Sequence, residues 1–274
     1  MNDWLRILNT ARLADLGSVR HVLFDFDGTL SVLRQGWEPV MEKVMLEAIC
    51  AGAGRTPPQE IIAEVQEYID RSTGKLTILQ MQWLVDKVRG YGMEQNPLSA
   101  AGYKKRYLHA LMVSVSVRLE ALENGTAPPE NYLIQGSQEF LRGLAEKNVE
   151  LYVASGSDHA DVLREASALG IADYFKGGIY GALDASEANG KERVIQRILD
   201  EHQLAGNELL VVGDGPVEII EGRQRGAISL GVASDEVLRH GWNAHKIERL
   251  TRAGADLLVA DFAHAAELIE RLVP

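Results

Sequence analysis

Cysteine is nearly absent, with Cys50 alone among 274 residues. A disulfide within the chain is impossible, and a cysteine-ligated zinc cluster is excluded. Basic residues are outnumbered, 28 Lys and Arg against 39 Asp and Glu, for a formal charge of -11. That balance gives no footprint for a nonspecific grip on nucleic acid or on an anionic membrane. No apolar run is long enough to span a bilayer, and the amino terminus lacks a basic stretch followed by an apolar one. A cytoplasmic protein with a small soluble ligand is expected, with no nucleic acid and no membrane as partner. An anionic ligand then needs a local positive site built from a metal ion, backbone amides or a few placed Lys and Arg residues. Internal repeats and low-complexity tracts are also missing.

What the chain does have is 46% hydrophobic residues, enough for one large domain or a domain with an insertion. Residues 21–26 form a compact apolar run closing on Asp25-Phe26-Asp27-Gly28-Thr29-Leu30, the pattern of a buried strand that stops at a polar loop. Ahead of it, Trp4, Leu5, Leu8, Leu13 and Leu16 within residues 2–16 suit a short amphipathic helix. From Trp37 to about Gly125 helical periods take over, for example Val40, Val44, Met45 and Ala48, or Leu108, Leu111, Met112 and Val115. Breakers at residues 52–58, 72–74, 90–97 and 124–129 divide that stretch into about four helices.

Beyond Pro129 strand and helix alternate. A helix is expected over 137–146, a strand over 149–154 ending in Ser155-Gly156-Ser157-Asp158, and another strand over 209–212 ending in Gly213-Asp214-Gly215. A helix over 216–225 and strands over 228–231 and 257–259 follow. This rhythm predicts the α/β class, a Rossmann-like parallel sheet core with helices on both faces, whose ligand lies beyond the carboxyl ends of the strands. Residues 1–33 and 132–274 are assigned to the core. Residues 34–131 are assigned to an inserted all-helical cap, because a loop of that length without its own structure is rare.

Asp25 and Asp27, two apart at a strand end, point the same way and can share a cation while one attacks and the other moves protons. Ser155 followed by Gly156 at a helix entrance offers phosphate oxygens two neutral donors and the helix dipole. Ser157 or Asp158 can serve as the helix cap instead, which leaves Ser155 free to face a ligand. His21, His109 and His159 show no ligand spacing and are read as structural or surface residues.

These segments resemble, in order, the motifs of the haloacid dehalogenase superfamily, over the whole chain except the helical block. Asp25 to Leu30 matches the first motif without a change. The resemblance implies that Asp25 attacks phosphorus, that Asp27 is general acid and base, and that a metal is held by the Asp25 carboxylate and the Asp27 main-chain carbonyl. Leu151-Tyr152-Val153-Ala154-Ser155-Gly156 matches the second motif, and Lys191 in Asn189-Gly190-Lys191 matches the single basic residue of the third. Lys176 and Arg193 are its substitutes if the loop register differs. Gly213-Asp214 matches the fourth motif, with Glu218 where the family more often has Asp. Glu is longer, so a water-mediated metal contact or a hydrogen bond to a loop is expected of it, whereas Asp214 is expected to ligate directly. Oxygens from Asp25, Asp27 and Asp214, completed by water and phosphate, suit octahedral magnesium.

The helical block resembles the caps of family members acting on phosphoglycolate, sugar phosphates and similar metabolites, with Arg34 and Lys75 as its candidate leaving-group contacts. The function implied is magnesium-dependent hydrolysis of a small phosphorylated metabolite through an aspartyl phosphate. A phosphomutase acting on a sugar phosphate is the alternative. A dehalogenase has no need of Asp27 or magnesium, and a catalytically silent binding protein should have lost one of the four motifs; none is lost.

Overall fold

Val22, Leu23 and Phe24 are fully buried, as a strand at the centre of a sheet covered on both faces must be. The computed structural model describes residues 4–51, 56–182 and 190–273. The start of the expected amino-terminal helix, part of the breaker at 52–58, and Asn189 lie outside the described residues. Seven strands form one sheet: β1 (Leu5–Ile7), β2 (His21–Phe24), β3 (Glu150–Asp158), β4 (Gly178–Ala182), β5 (Leu209–Gly213), β6 (Ile228–Val232) and β7 (Leu257–Val259). Their order is β1-β7-β6-β5-β2-β3-β4, parallel throughout except that β1 runs antiparallel to β7.

Between β2 and β3 the chain forms α1 (Trp37–Ile49), α2 (Gln59–Ser72), α3 (Thr77–Tyr91) and α4 (Ala100–Glu123). These four helices share a core of their own, in which Met45, Val65, Met81, Leu84, Val88 and Val115 are sealed from solvent. The remaining helices are α5 (Ser137–Glu146), α6 (His159–Ala168), α7 (Lys191–His202), α8 (Pro216–Gln224), α9 (Ala244–Ala253) and α10 (Ala265–Leu272). One face of the sheet packs through Phe24, Val153 and Val212 on α5, α6 and α10. The other packs through Leu23, Ala154 and Val211 on α7, while Gly222 of α8 leaves room for Val211. The period of two along each strand feeds both layers.

The segment read as an amino-terminal helix is instead a strand and a short 3-10 turn, Thr10–Asp15. The reason is tertiary. Leu5, Arg6 and Ile7 find backbone partners in Val259, Leu258 and Leu257 at the open edge of the sheet, and that pairing outweighs a weak local helical period. Trp4 stacks on His264 with ring centroids 4.8 Å apart. Strand β4 and helices α9 and α10 were not anticipated by residue pattern. No described helix is long and apolar enough to cross a membrane.

Phe140 of α5 is fully buried, stacked on Phe262 at 4.8 Å and edge-on to Phe24 at 6.0 Å. Phe140→Ala should lower the free energy of unfolding by about 3–5 kcal/mol, the usual loss for an aromatic removed from a packed core. Urea denaturation checks this, and a loss below about 1 kcal/mol would mean that these rings do not hold the helix to the sheet.

Candidate active site

The site gathers at the carboxyl ends of β2, β3 and β5, which lie side by side in the sheet; β3 runs past the expected end at 154 to Asp158 and leads directly into α6, while loops follow β2 and β5. The Asp25 amide continues the ladder to the Val212 carbonyl at 2.8 Å, so the carboxylate begins where the strand ends. The chain then turns back, with the Leu30 and Ser31 amides both donating to the Phe26 carbonyl at 3.0 Å. Gly28 is required in this turn for two reasons: its φ is +75°, and a Cβ there would lie 2.5 Å from Asp214 Oδ2.

Asp25 is buried. Its Oδ1 accepts from the Phe26 amide at 2.8 Å and from Lys191 Nζ at 2.9 Å. Lys191, the first residue of α7, also donates to Glu218 Oε2 at 2.7 Å. Glu218 Oε1 in turn accepts from the Gly215 amide at 2.7 Å, which caps the first turn of α8. Of the two contacts expected for Glu218, the hydrogen bond to a loop is therefore present. Burial raises the Asp25 carboxyl well above the ordinary carboxylate value; Lys191 opposes this, and the nearby Glu218 and Asp214 charges add to it.

Asp214 has cations of its own. Its Oδ2 lies 2.8 Å from Lys246 Nζ, its Oδ1 accepts from the Thr29 hydroxyl at 3.2 Å, and its carbonyl accepts from Arg249 Nη2 at 2.9 Å. Burial works to raise this carboxyl, but Lys246 and Arg249 hold it below the usual range. Sequence reasoning missed both. They sit three apart on α9, a helix not anticipated, and the only signal is that both basic residues are buried on one helical face.

Asp27 Oδ2 accepts from the Ser157 hydroxyl at 2.9 Å and the Ser155 hydroxyl at 3.3 Å, while its buried Oδ1 has no hydrogen-bond partner. Ser157 is thus a neighbour of Asp27 and not the cap of α6; the capping position falls to Asp158, without a side-chain bond. Arg34 Nε lies 3.7 Å from Asp27 Oδ1. Its guanidinium is held at 2.7 Å by Glu165, itself buried, and at 3.2 Å by Asp161.

The turn between α2 and α3 closes over these loops with no space for side chains. A Cβ on Gly74, whose φ is +90°, would lie 2.4 Å from Glu218 Oε2, and a Cβ on Gly156 would lie 2.4 Å from the Lys75 carbonyl. Lys75 itself is exposed and has no ion pair among the described residues. The cavity beneath the turn is about 60 Å³, against the roughly 10–15 Å³ that one water needs. Asp25, Asp27, Asp214, Gly156, Arg34 and Lys75 line it, as do Ser157, read from the sequence only as a possible helix cap, and Trp37, Thr77, Gln80 and Tyr107, to which the sequence assigned no site role. Ser155 and Lys191 stand behind this lining, bonded to Asp27 and Asp25, and Glu218 stands behind Lys191. The substitute cations Lys176 and Arg193 are both exposed.

Asp25, Asp214 and Glu218 each bring a buried carboxylate oxygen within 4.8 Å of the other two. Hard oxygen donors in this number suit a hard divalent cation, and the like-charge crowding that raises Asp25 is what such an ion relieves.

A family model described as haloacid dehalogenase-like hydrolase matches residues 19–226. A 5′-nucleotidase of Pseudomonas aeruginosa is 29% identical over 117 residues, which make up 40% of this chain; the match spans about half, 52%, of that protein's length. Among solved structures, one described as a predicted phosphoglycolate phosphatase from Haemophilus somnus superposes with a TM-score of 0.61 at 17% identity, covering 92% of this chain and 98% of its own. A β-phosphoglucomutase from Clostridium difficile gives 0.58 at 14% identity, covering 92% and 100%. At such identities the likeness is one of fold. The family model, by contrast, spans most of the chain and takes in every motif aspartate, so this chain belongs to the haloacid dehalogenase-like hydrolases.

Proposed function

We propose that the protein is a magnesium-dependent hydrolase of a small phosphate monoester and works through an aspartyl phosphate on Asp25. One observation carries this reading. Asp25 and Asp27 face a single cavity, with one carboxylate hydrogen-bonded to the buried Lys191 ammonium and the other to the Ser155 and Ser157 hydroxyls, the Arg34 guanidinium standing off from it at 3.7 Å.

Both contacts on Asp25 fall on Oδ1, which leaves Oδ2 to attack phosphorus. As the Asp25 O–P bond forms, the bond from phosphorus to the leaving oxygen breaks, and that oxygen takes a proton from Asp27. Asp27 Oδ1, buried and without a hydrogen bond, is the atom to carry the proton, while Ser155 and Ser157 hold the other oxygen in place. The same carboxylate then takes a proton from water, the water attacks the phosphoryl group, and Asp25 is released. Lys191 keeps the nucleophile oriented and offsets its charge, and the Gly156 segment supplies backbone polarity on the far side. The Asp25 and Asp214 carboxylates and the Asp27 main-chain carbonyl, with Glu218 behind them, would hold magnesium, which would supply positive charge to the phosphoryl oxygens.

Residues 34–131 act as the cap in this reading. Ion pairs join the helical block to the core, among them Arg249 with Glu38 and Asp70 at 3.4 and 3.5 Å, Arg164 with Glu123 at 2.7 Å, and Lys104 with Asp158. So small a cavity fits a phosphoryl group in a closed site, and substrate enters when the cap swings away.

A screen of phosphate esters with magnesium, scored by released phosphate, tests the reading. Nucleoside monophosphates belong in it because of the nucleotidase relative, alongside phosphoglycolate and sugar phosphates. Turnover should be abolished in Asp25→Asn, which keeps nearly the same side-chain volume. Full activity in that variant would remove Asp25 as nucleophile. Isomerisation of a sugar phosphate without phosphate release would replace hydrolysis with a mutase reaction.

Arg34 and Lys75 should behave differently from one another. Lys75, without a partner of its own, is placed to meet the leaving group. Lys75→Ala should therefore cost a metabolite substrate about 1.5–3 kcal/mol, or one to two powers of ten in kcat/KM, and affect a small aryl phosphate much less. Arg34→Ala abandons buried Glu165 beside Asp27, so both substrates should lose together. The ratio of kcat/KM on the two esters decides each case, and equal losses for Lys75→Ala would assign it to closing the cap.

A further inference from the structure

At the opposite end of the sheet lies a second cluster of ligating side chains that the hydrolase site does not use. His21 opens β2, Glu150 opens β3, and the parallel register sets the two directly side by side. Helix α7 returns antiparallel across this face. Its first residue, Lys191, reaches Asp25, and its last, His202, arrives over His21 with ring centroids 4.5 Å apart. The helix rises roughly 16 Å between those ends, so this cluster and the catalytic carboxylates are separate places.

We propose that His21, Glu150 and His202 bind a divalent transition-metal ion of the zinc class. One ring nitrogen from each of His21 and His202 and a Glu150 carboxylate oxygen all lie within 4.8 Å of one another. Glu150 Oε2 is 3.8 Å from His21 Nδ1 and 4.0 Å from His202 Nε2. Bonds of ~2.1 Å in a tetrahedral site separate the donors by about 3.4 Å, so small side-chain rotations close the geometry. The Tyr152 hydroxyl sits between the rings, 3.1 Å from His21 Nδ1 and 2.9 Å from His202 Nε2. Each of these nitrogens has a single lone pair in the ring plane, so an ion displaces the two hydrogen bonds, takes the place of the hydroxyl between the rings and leaves the fourth position to water.

Two further features favour a cation here. His202 ends α7, where the negative pole of the helix attracts positive charge. The His202 and Glu150 side chains are 35% and 38% exposed, which gives an ion a path in from solvent. Two imidazoles and one carboxylate select zinc, cobalt, nickel or copper over magnesium, whose preference is for oxygen alone.

The test uses the full chain, stripped with a chelator and titrated with Zn²⁺ by calorimetry in excess Mg²⁺. Wild type should show one zinc site that magnesium does not displace. His202→Ala, at an exposed position, should weaken it by more than the roughly 10–100-fold that losing a mere supporting hydrogen bond costs, and Glu150→Gln should weaken it likewise. Asp214→Asn should leave it in place. With Co²⁺, wild type should develop visible absorption of a tetrahedral ion, absent in His202→Ala. An isotherm unchanged in His202→Ala and Glu150→Gln, or zinc binding lost only in Asp214→Asn, would overturn the proposal and leave the cluster as a hydrogen-bonded network around Tyr152.

Discussion

Asp25, Asp214 and Glu218 are buried within a few ångströms of one another, and that concentration of negative charge constrains the rest of the structure. Each buried carboxylate costs several kcal/mol of lost hydration unless it is matched by charge and hydrogen bonds. The chain meets the requirement with cations brought by three separate helical positions. Lys191 enters between Asp25 and Glu218, Lys246 lies against Asp214, and Arg249 bonds the Asp214 backbone. Three adjacent parallel strands end beneath them, and this is why the sheet order β5-β2-β3 matters more to the site than any single loop.

The same cations tie the two packed cores together. Arg249 reaches the Asp214 carbonyl with one nitrogen and Glu38, Asp70 and Thr73 of the helical block with the other. Thr73 opens the turn in which Gly74 rests on Glu218 and the Lys75 backbone rests on Gly156. Packing of the helical block on the core and neutralisation of Asp214 are thus linked through one side chain. Arg34 plays a comparable part on the other side, joining Asp27 to Glu165 and Asp161 of α6.

Much of this was legible in the sequence. Buried strands read as apolar runs of four or five residues, the Gly and Pro breakers divide residues 37–125 into the four helices observed, and Asp or Ser at three strand ends marks the face that carries the cavity. Short-range pattern failed where the cause is long-range. Leu5 and Ile7 look helical until β7 offers them an edge to pair with. Lys246 and Arg249 look like solvated charges because Asp214, the site carboxylate that both approach, lies more than 30 residues away. Glu165 and Ser157 acquire meaning only when α6 and the β3 loop fold against Asp27. His21, Glu150 and His202 share no spacing, and only strand register and the return of α7 bring them together.

The central claim is that Asp25 carries the phosphoryl group between two half-reactions. It is tested most directly by rapid quench during turnover of a substrate bearing ³²P in its phosphate, followed by peptide mapping in acid, where acyl phosphates survive. The account predicts a label that appears and decays with turnover on the peptide containing Asp25, and its absence in Asp25→Asn. Full turnover with no protein-bound label at any quench time, or a label that maps to another residue, would contradict it.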